Sequence, residues 1–142
     1  MGTWEDYERE RRRREDEARK AARRNELNNK INSLNKEINN LNKEKNQYIQ
    51  MKNKINQALP KLNEGKATVN QGSNELQNAY TSQTAKNKVK EFQETITNIG
   101  NIIKNLNNII LPAIDSKINE LNSRIQSKNN EVNELRSELS SI

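Results

Sequence analysis

The sequence has neither cysteine nor histidine, which removes disulfides, thiolate chemistry and the usual zinc ligands together. Its four glycines stand apart and form no loop that would cradle a phosphate. Aromatic residues are 4% and hydrophobic residues 30% of the 142 positions, with a mean hydropathy of -1.21, too little apolar material for a thick globular core. No apolar run approaches the ~18 residues of a membrane-spanning helix, and the N-terminus lacks the apolar stretch of a secretory signal. The expectation is a soluble, cytoplasmic protein that, if exported, leaves by a route without a cleaved signal. A surplus of one charge sign is also missing in practice. The net charge is +6 with a pI near 9.6, yet the 25 basic residues are interspersed with 19 acidic ones, and a mixed surface is a poor phosphate track.

These absences bear on chemistry. Carboxylates and hydroxyls on solvated helix faces are the only candidates left for catalysis. Glu91 and Glu94 lie three apart, but such a pair without a pocket or supporting groups reads as surface charge. Neither an enzymatic activity nor a cofactor or metal is expected.

What the chain does have is periodicity. Leu27, Ile31, Leu34, Ile38 and Leu41, then Tyr48, Ile55, Leu59, Leu62, Val69, Leu76 and Tyr80, share one register of alternating fours and threes. The spacing restarts at Val89, Phe92, Ile96, Ile99, Ile103, Leu106 and Ile110. A repeat averaging ~3.5 residues draws a narrow apolar seam along an α-helix and requires a partner helix along it. Between the two runs, Ala79 to Thr84 carries no large apolar side chain beyond Tyr80, and its Thr81, Ser82 and Thr84 favour turns and helix starts. The pattern predicts an all-α fold, a long antiparallel two-helix hairpin of coiled-coil type, hinged at Tyr80, Thr81 and Ser82. Its seam would be built from Leu27, Ile31, Leu34, Ile38, Leu41, Ile55, Leu59 and Leu62 on the first arm and from Phe92, Ile96, Ile99, Leu121, Ile125 and Leu135 on the second.

Residues 1–24 differ in composition from 25–142. They hold eight of the ten arginines, including Arg11 to Arg14, seven carboxylates and no asparagine. Pairs such as Glu8 with Arg12 and Glu10 with Arg14 would support a solvated helix by a few tenths of a kcal/mol each, about 0.2–0.5. With the fold at Ser82, position 142 lies opposite about position 22, and this charged segment overhangs as an extension.

The hairpin is interrupted in both arms. Pro60, followed by Gly65 and Gly72, predicts a kink and a weak stretch in the first; Pro112 predicts another in the second, where the apolar spacing slips by one residue. Lys45, Lys52, Lys66 and Ser73 occupy seam positions. The lysines either weaken the seam or face a third surface carrying acid. Ile102, Ile103, Leu106, Ile109, Ile110 and Leu111 make a wider apolar band than one seam needs: either the local core thickens there or the second helix has two apolar faces. Ile102, Leu106, Ile109, Ile110 and Leu111, with Tyr48, Lys45 and Lys52, are therefore the candidate partner-binding residues.

From Leu27 to Ile142 the sequence resembles the YwqH-like helical proteins of Gram-positive bacteria, relatives of the WXG (Esx-type) hairpins found with LXG-domain toxins of the type VII secretion system. The likeness lies in the heptad arm, in Leu62-Asn63-Glu64-Gly65-Lys66-Ala67, in Leu76 to Ala85, and in Ile109-Ile110-Leu111-Pro112-Ala113-Ile114-Asp115 with its polar heptad tail. Tyr80, Thr81 and Ser82 stand where WXG proteins keep Trp-x-Gly. The resemblance implies a non-enzymatic, chaperone-like accessory protein that packs against the helical LXG domain of a toxin and supports its export, with a second small helical protein as a further possible partner. Two other functions fit the residues: a self-associating coiled-coil structural protein, and a nucleic-acid binder acting through Arg11 to Arg14.

Overall fold

The structure is a computed structural model, and it describes residues 2–142. It is helical almost throughout, with no strand among the described residues. Helix α1 runs Trp4–Ala79 and α2 runs Gln83–Asn105; a π turn at Leu106–Ile110 leads into α3, Leu111–Ser140.

The start of α1 is capped by a reciprocal pair. The Thr3 hydroxyl accepts from the Asp6 amide at 3.2 Å, and the Asp6 carboxylate accepts from the Thr3 amide at 3.1 Å. This capping box satisfies two end amides, and the acids Glu5 and Asp6 in the first turn suit the positive end of the helix dipole. The winding then continues without a break past the compositional boundary at residue 24 and through Pro60.

α1 ends where the apolar register stops. Tyr80, Thr81 and Ser82 separate it from α2, and the Ser82 hydroxyl caps α2 by accepting from the Ala85 amide at 3.2 Å. No described residue has a positive φ, so this short connection is made without left-handed backbone.

The second interruption has a different cause. Pro112 has no amide to donate, and its ring crowds the carbonyl one turn back. In the residues just before it the helix widens into the π turn, closed by the Leu111 amide donating to the Leu106 carbonyl five residues earlier. The widened turn takes up the extra residue that the slipped spacing introduces.

The chain divides into two compact units, one formed by Met1–Glu44 with Leu121–Ile142 and the other by Lys45–Glu120. In the first, Ile31, Ile38 and Val132 form the core, and Leu34, Ile125, Leu135 and Leu139 pack against it. Leu27 and Leu121 are completely covered and Leu41 is buried. Arg23 pairs with Glu138, and Lys128 reaches Glu37 at 2.7 Å, so advancing along α1 means retreating along α3.

In the second unit the buried positions are Ala85, Ile114 and Ser73, while Ile55, Leu59, Leu62, Phe92, Ile96 and Ile99 are half-buried. Half-burial is what a seam between two helices allows, because each side chain is covered from one side only. Three cross-contacts order this unit. Lys52 meets Asp115 at 2.7 Å, the Ser73 hydroxyl accepts from the Gln93 amide nitrogen at 3.2 Å, and the Lys66 ammonium lies 3.5 Å from where a side chain on Gly100 would begin.

Two sets of substitutions test this account by thermal or denaturant unfolding. Leu121→Ala should cost about 2–5 kcal/mol, and Leu121→Asp more, because an unpaired carboxylate would be buried. Leu34→Asp at its half-buried site should cost less than Leu121→Asp, and Asn39→Asp on the exposed side should stay within about 0.5 kcal/mol. Gly65→Ala and Gly72→Ala should each stabilise by about 0.5–1 kcal/mol, since the new methyl group meets nothing within 4 Å.

Candidate partner-binding site

The apolar band around the π turn is only partly covered. Ile102 is 48% exposed, Ile109 63% and Ile110 40%; Ile103, Leu106 and Leu111 are half-buried. The reason is rotational. Ile103 before the wide turn, Leu106 at its start, and Ile114 and Ile118 after it lie at covered or half-covered positions. Ile109 sits inside the turn and is carried outward.

Charge is scarce here as well. In a chain that is 31% charged, Lys104 is the only charged side chain between Glu94 and Asp115. Depletion of charge around exposed apolar side chains is the compositional mark of an interface centre.

The other candidate residues are placed differently. Tyr48, Lys45 and Lys52 are half-buried. The acid that Lys52 faces belongs to its own chain: its ammonium pairs with Asp115, both side chains being 39–48% exposed. Such a pair is worth about 0.2–1 kcal/mol, and it answers the seam lysine without a third surface. Periodicity did not single out Met51, 47% exposed on α1; Trp4 and Tyr7, close enough in sequence to form a small apolar spot near the N-terminus, are stacked there, 73% and 63% exposed with ring centroids 5.7 Å apart. Trp4 and Tyr7 are three apart, the spacing that puts two rings on one helix face, and that was the available signal.

Three arginines of the run, Arg11, Arg13 and Arg14, are paired along their own helix. Glu8 takes Arg11 at 2.8 Å rather than the expected Arg12, because the bond closes three residues along instead of four. Glu10 holds Arg13 at 2.8 Å and Arg14 at 3.4 Å, and Asp16 pairs with Arg19. Guanidinium groups engaged in this way offer a weakened field to phosphate.

At the other end of the first unit, an exposed ionic cluster joins the segments. Arg23 is held more firmly in its charged form, first by its hydrogen bond to Glu138 and then by Glu26. The Glu26 carboxyl is drawn below the usual carboxylate range, first by Lys30 and then by Arg23. Beside it an open groove of about 520 Å³ is lined by Glu26, Asn29, Lys30, Ser33, Leu34, Glu131 and Leu135. Among the described residues no group of acids could hold a metal ion, and no helix is long and apolar enough to cross a membrane.

Compared with protein-family models, with curated proteins and with solved structures, the chain matches none of them. The site is accordingly read from its own geometry.

Glu26 generates a pH prediction. Its folded-state value is lowered, so between the lowered and ordinary values the unfolded chain binds more protons than the folded one. Its contribution to stability is fully present above the ordinary carboxylate value and disappears as pH falls through the lowered one. Glu26→Gln should flatten this part of the melting-temperature profile, and salt should shrink the difference between the two proteins because the cluster is exposed.

Proposed function

We propose that the protein is a non-enzymatic helical accessory factor that lies against the long helical LXG domain of a type VII-secreted toxin and supports its export. In this reading the chain is one long antiparallel hairpin of the WXG-like kind, hinged at Tyr80–Ser82 and bent near Pro60 and Pro112. It acts in the cytoplasm and accompanies its cargo to the secretion machine.

One observation carries the reading: Ile102, Ile109 and Ile110 are exposed together in the most charge-poor part of the chain. A helix with an apolar stripe would cover them, as amphipathic helices do when they lie in a groove or along another helix. The cross-contacts within each unit fit the hairpin. The pairs Arg23 with Glu138 and Glu37 with Lys128 in one, and Lys52 with Asp115 and Ser73 with Gln93 in the other, all match rising positions on α1 with falling positions beyond it.

The test is co-expression with an LXG-domain toxin. A co-purifying complex is expected, and Ile109→Asp should weaken it by about 2 kcal/mol or more, roughly 30-fold, as removal of a central apolar anchor does. Helicity by circular dichroism should be unchanged, since the residue lies on the surface. A protein that leaves every such toxin unbound, or a complex indifferent to Ile109→Asp, would reject the reading.

A further inference from the structure

From Leu27 toward the N-terminus the register of α1 continues in position but not in kind. Its alternating threes and fours fall on Arg24, Lys20, Glu17, Arg13, Glu10 and Asp6. All are charged, so there is no apolar stripe for a partner helix to cover. Between Tyr7 and Arg23 the only apolar side chains are the methyl groups of Ala18, Ala21 and Ala22. Every residue from Gly2 to Ala22 is exposed except Glu8 and Glu10, which are half-buried. Among the described residues, hydrogen bonds to a distant segment begin only at Arg23 and Arg24. The segment is nevertheless helical from Trp4 onward.

What holds it is local. Arg9 faces Asp6 at 3.9 Å, and Arg11 faces Glu8 at 2.8 Å and Glu15 at 4.0 Å. With the pairs of Glu10 and Asp16, every acid from Asp6 to Asp16 meets a guanidinium three or four residues away. Residues 4–22 contain no glycine, proline or β-branched residue to lower helix propensity. The Thr3 and Asp6 cap satisfies amides of the first turn, and the packed part of α1 supplies the nucleus that an isolated helix would have to form unaided. From these observations we infer that residues 4–22 are a free-standing helix, stiffened by its own ion pairs, that serves as a rigid arm and not as a docking face for another helix. At ~1.5 Å per residue it holds the stacked Trp4 and Tyr7 about 24–28 Å from Arg23. The arm is independent of the toxin-partner reading, which rests on Ile102, Ile109 and Ile110.

The absence of cysteine allows a direct test on the full chain. Glu5→Cys and Lys20→Cys together introduce two spin-label sites outside these ion pairs and leave the net charge unchanged. Fifteen residues of helix separate the two backbones by about 22 Å. A flexible chain of the same length has a similar mean separation, about 19–23 Å, so the width of the distance distribution decides. Pulsed electron spin resonance should show one narrow peak that is unchanged by tenfold dilution. Glu8→Gln, Glu10→Gln, Glu15→Gln and Asp16→Asn combined should broaden it at least twofold, while the cooperative melting transition of the packed region remains. Glutamine is nearly as good a helix former as glutamate, so that broadening reports the ion pairs and not propensity.

A broad distribution in the chain with its acids intact, or a narrow one that is lost on dilution, would overturn the free-standing arm. A peak equally narrow in the charge-depleted variant would overturn the ion pairs as its support. In each case the toxin-partner reading would stand, and a toxin that fails to co-purify would leave the arm untouched.

Discussion

A narrow stripe of apolar side chains, buried helix against helix, is the constraint on which this protein depends. With 30% hydrophobic residues, the chain cannot stack layers of secondary structure around a thick core. In the first unit the stripe closes well: Leu27 and Leu121 are completely covered, and Ile31, Ile38 and Val132 pack together. In the second it is diluted by Lys52, Lys66 and Ser73, and the structure answers each across the helix contact. Lys52 finds Asp115, Lys66 runs beside the bare backbone of Gly100, and Ser73 accepts from Gln93. A polar group in a thin seam is tolerable when its partner is on the opposite helix, because desolvation is partial and the hydrogen bond is kept.

The π turn links this packing to the candidate site. Proline at position 112 removes a donor and crowds the preceding turn, and the helix widens at Leu106–Ile110. Widening lets the apolar positions on either side stay aligned with their cover. It also turns Ile109 toward solvent. The exposure of Ile109 thus has a backbone cause, and it falls in the segment where charge is scarcest.

Local sequence signals account for the helical state and for where the winding is interrupted. The seven-residue repeat specifies helix because only that winding gathers Leu27, Ile31, Leu34 and Ile38 on one side. The gap at Tyr80–Ser82 has hydroxyls where an apolar residue would continue the stripe, and one of them, on Ser82, caps the next helix. The reciprocal cap of Thr3 and Asp6 was equally local, but it lies outside the apolar repeat. The choice of Arg11 over Arg12 by Glu8 was not readable, since pairs three and four apart are both neighbours on a helix surface and side-chain rotamers decide between them.

The order of residues thus accounts for the helices and their apolar edges, because periodicity and capping act over a few neighbouring positions. Tertiary structure alone decided the pairing of Lys52 with Asp115, the complete burial of Ser73, and the exposure of Ile109 beside a half-covered Leu106. These outcomes depend on which distant residue lies across the contact and on the rotation introduced by one widened turn. Neither is encoded in the spacing of any single segment.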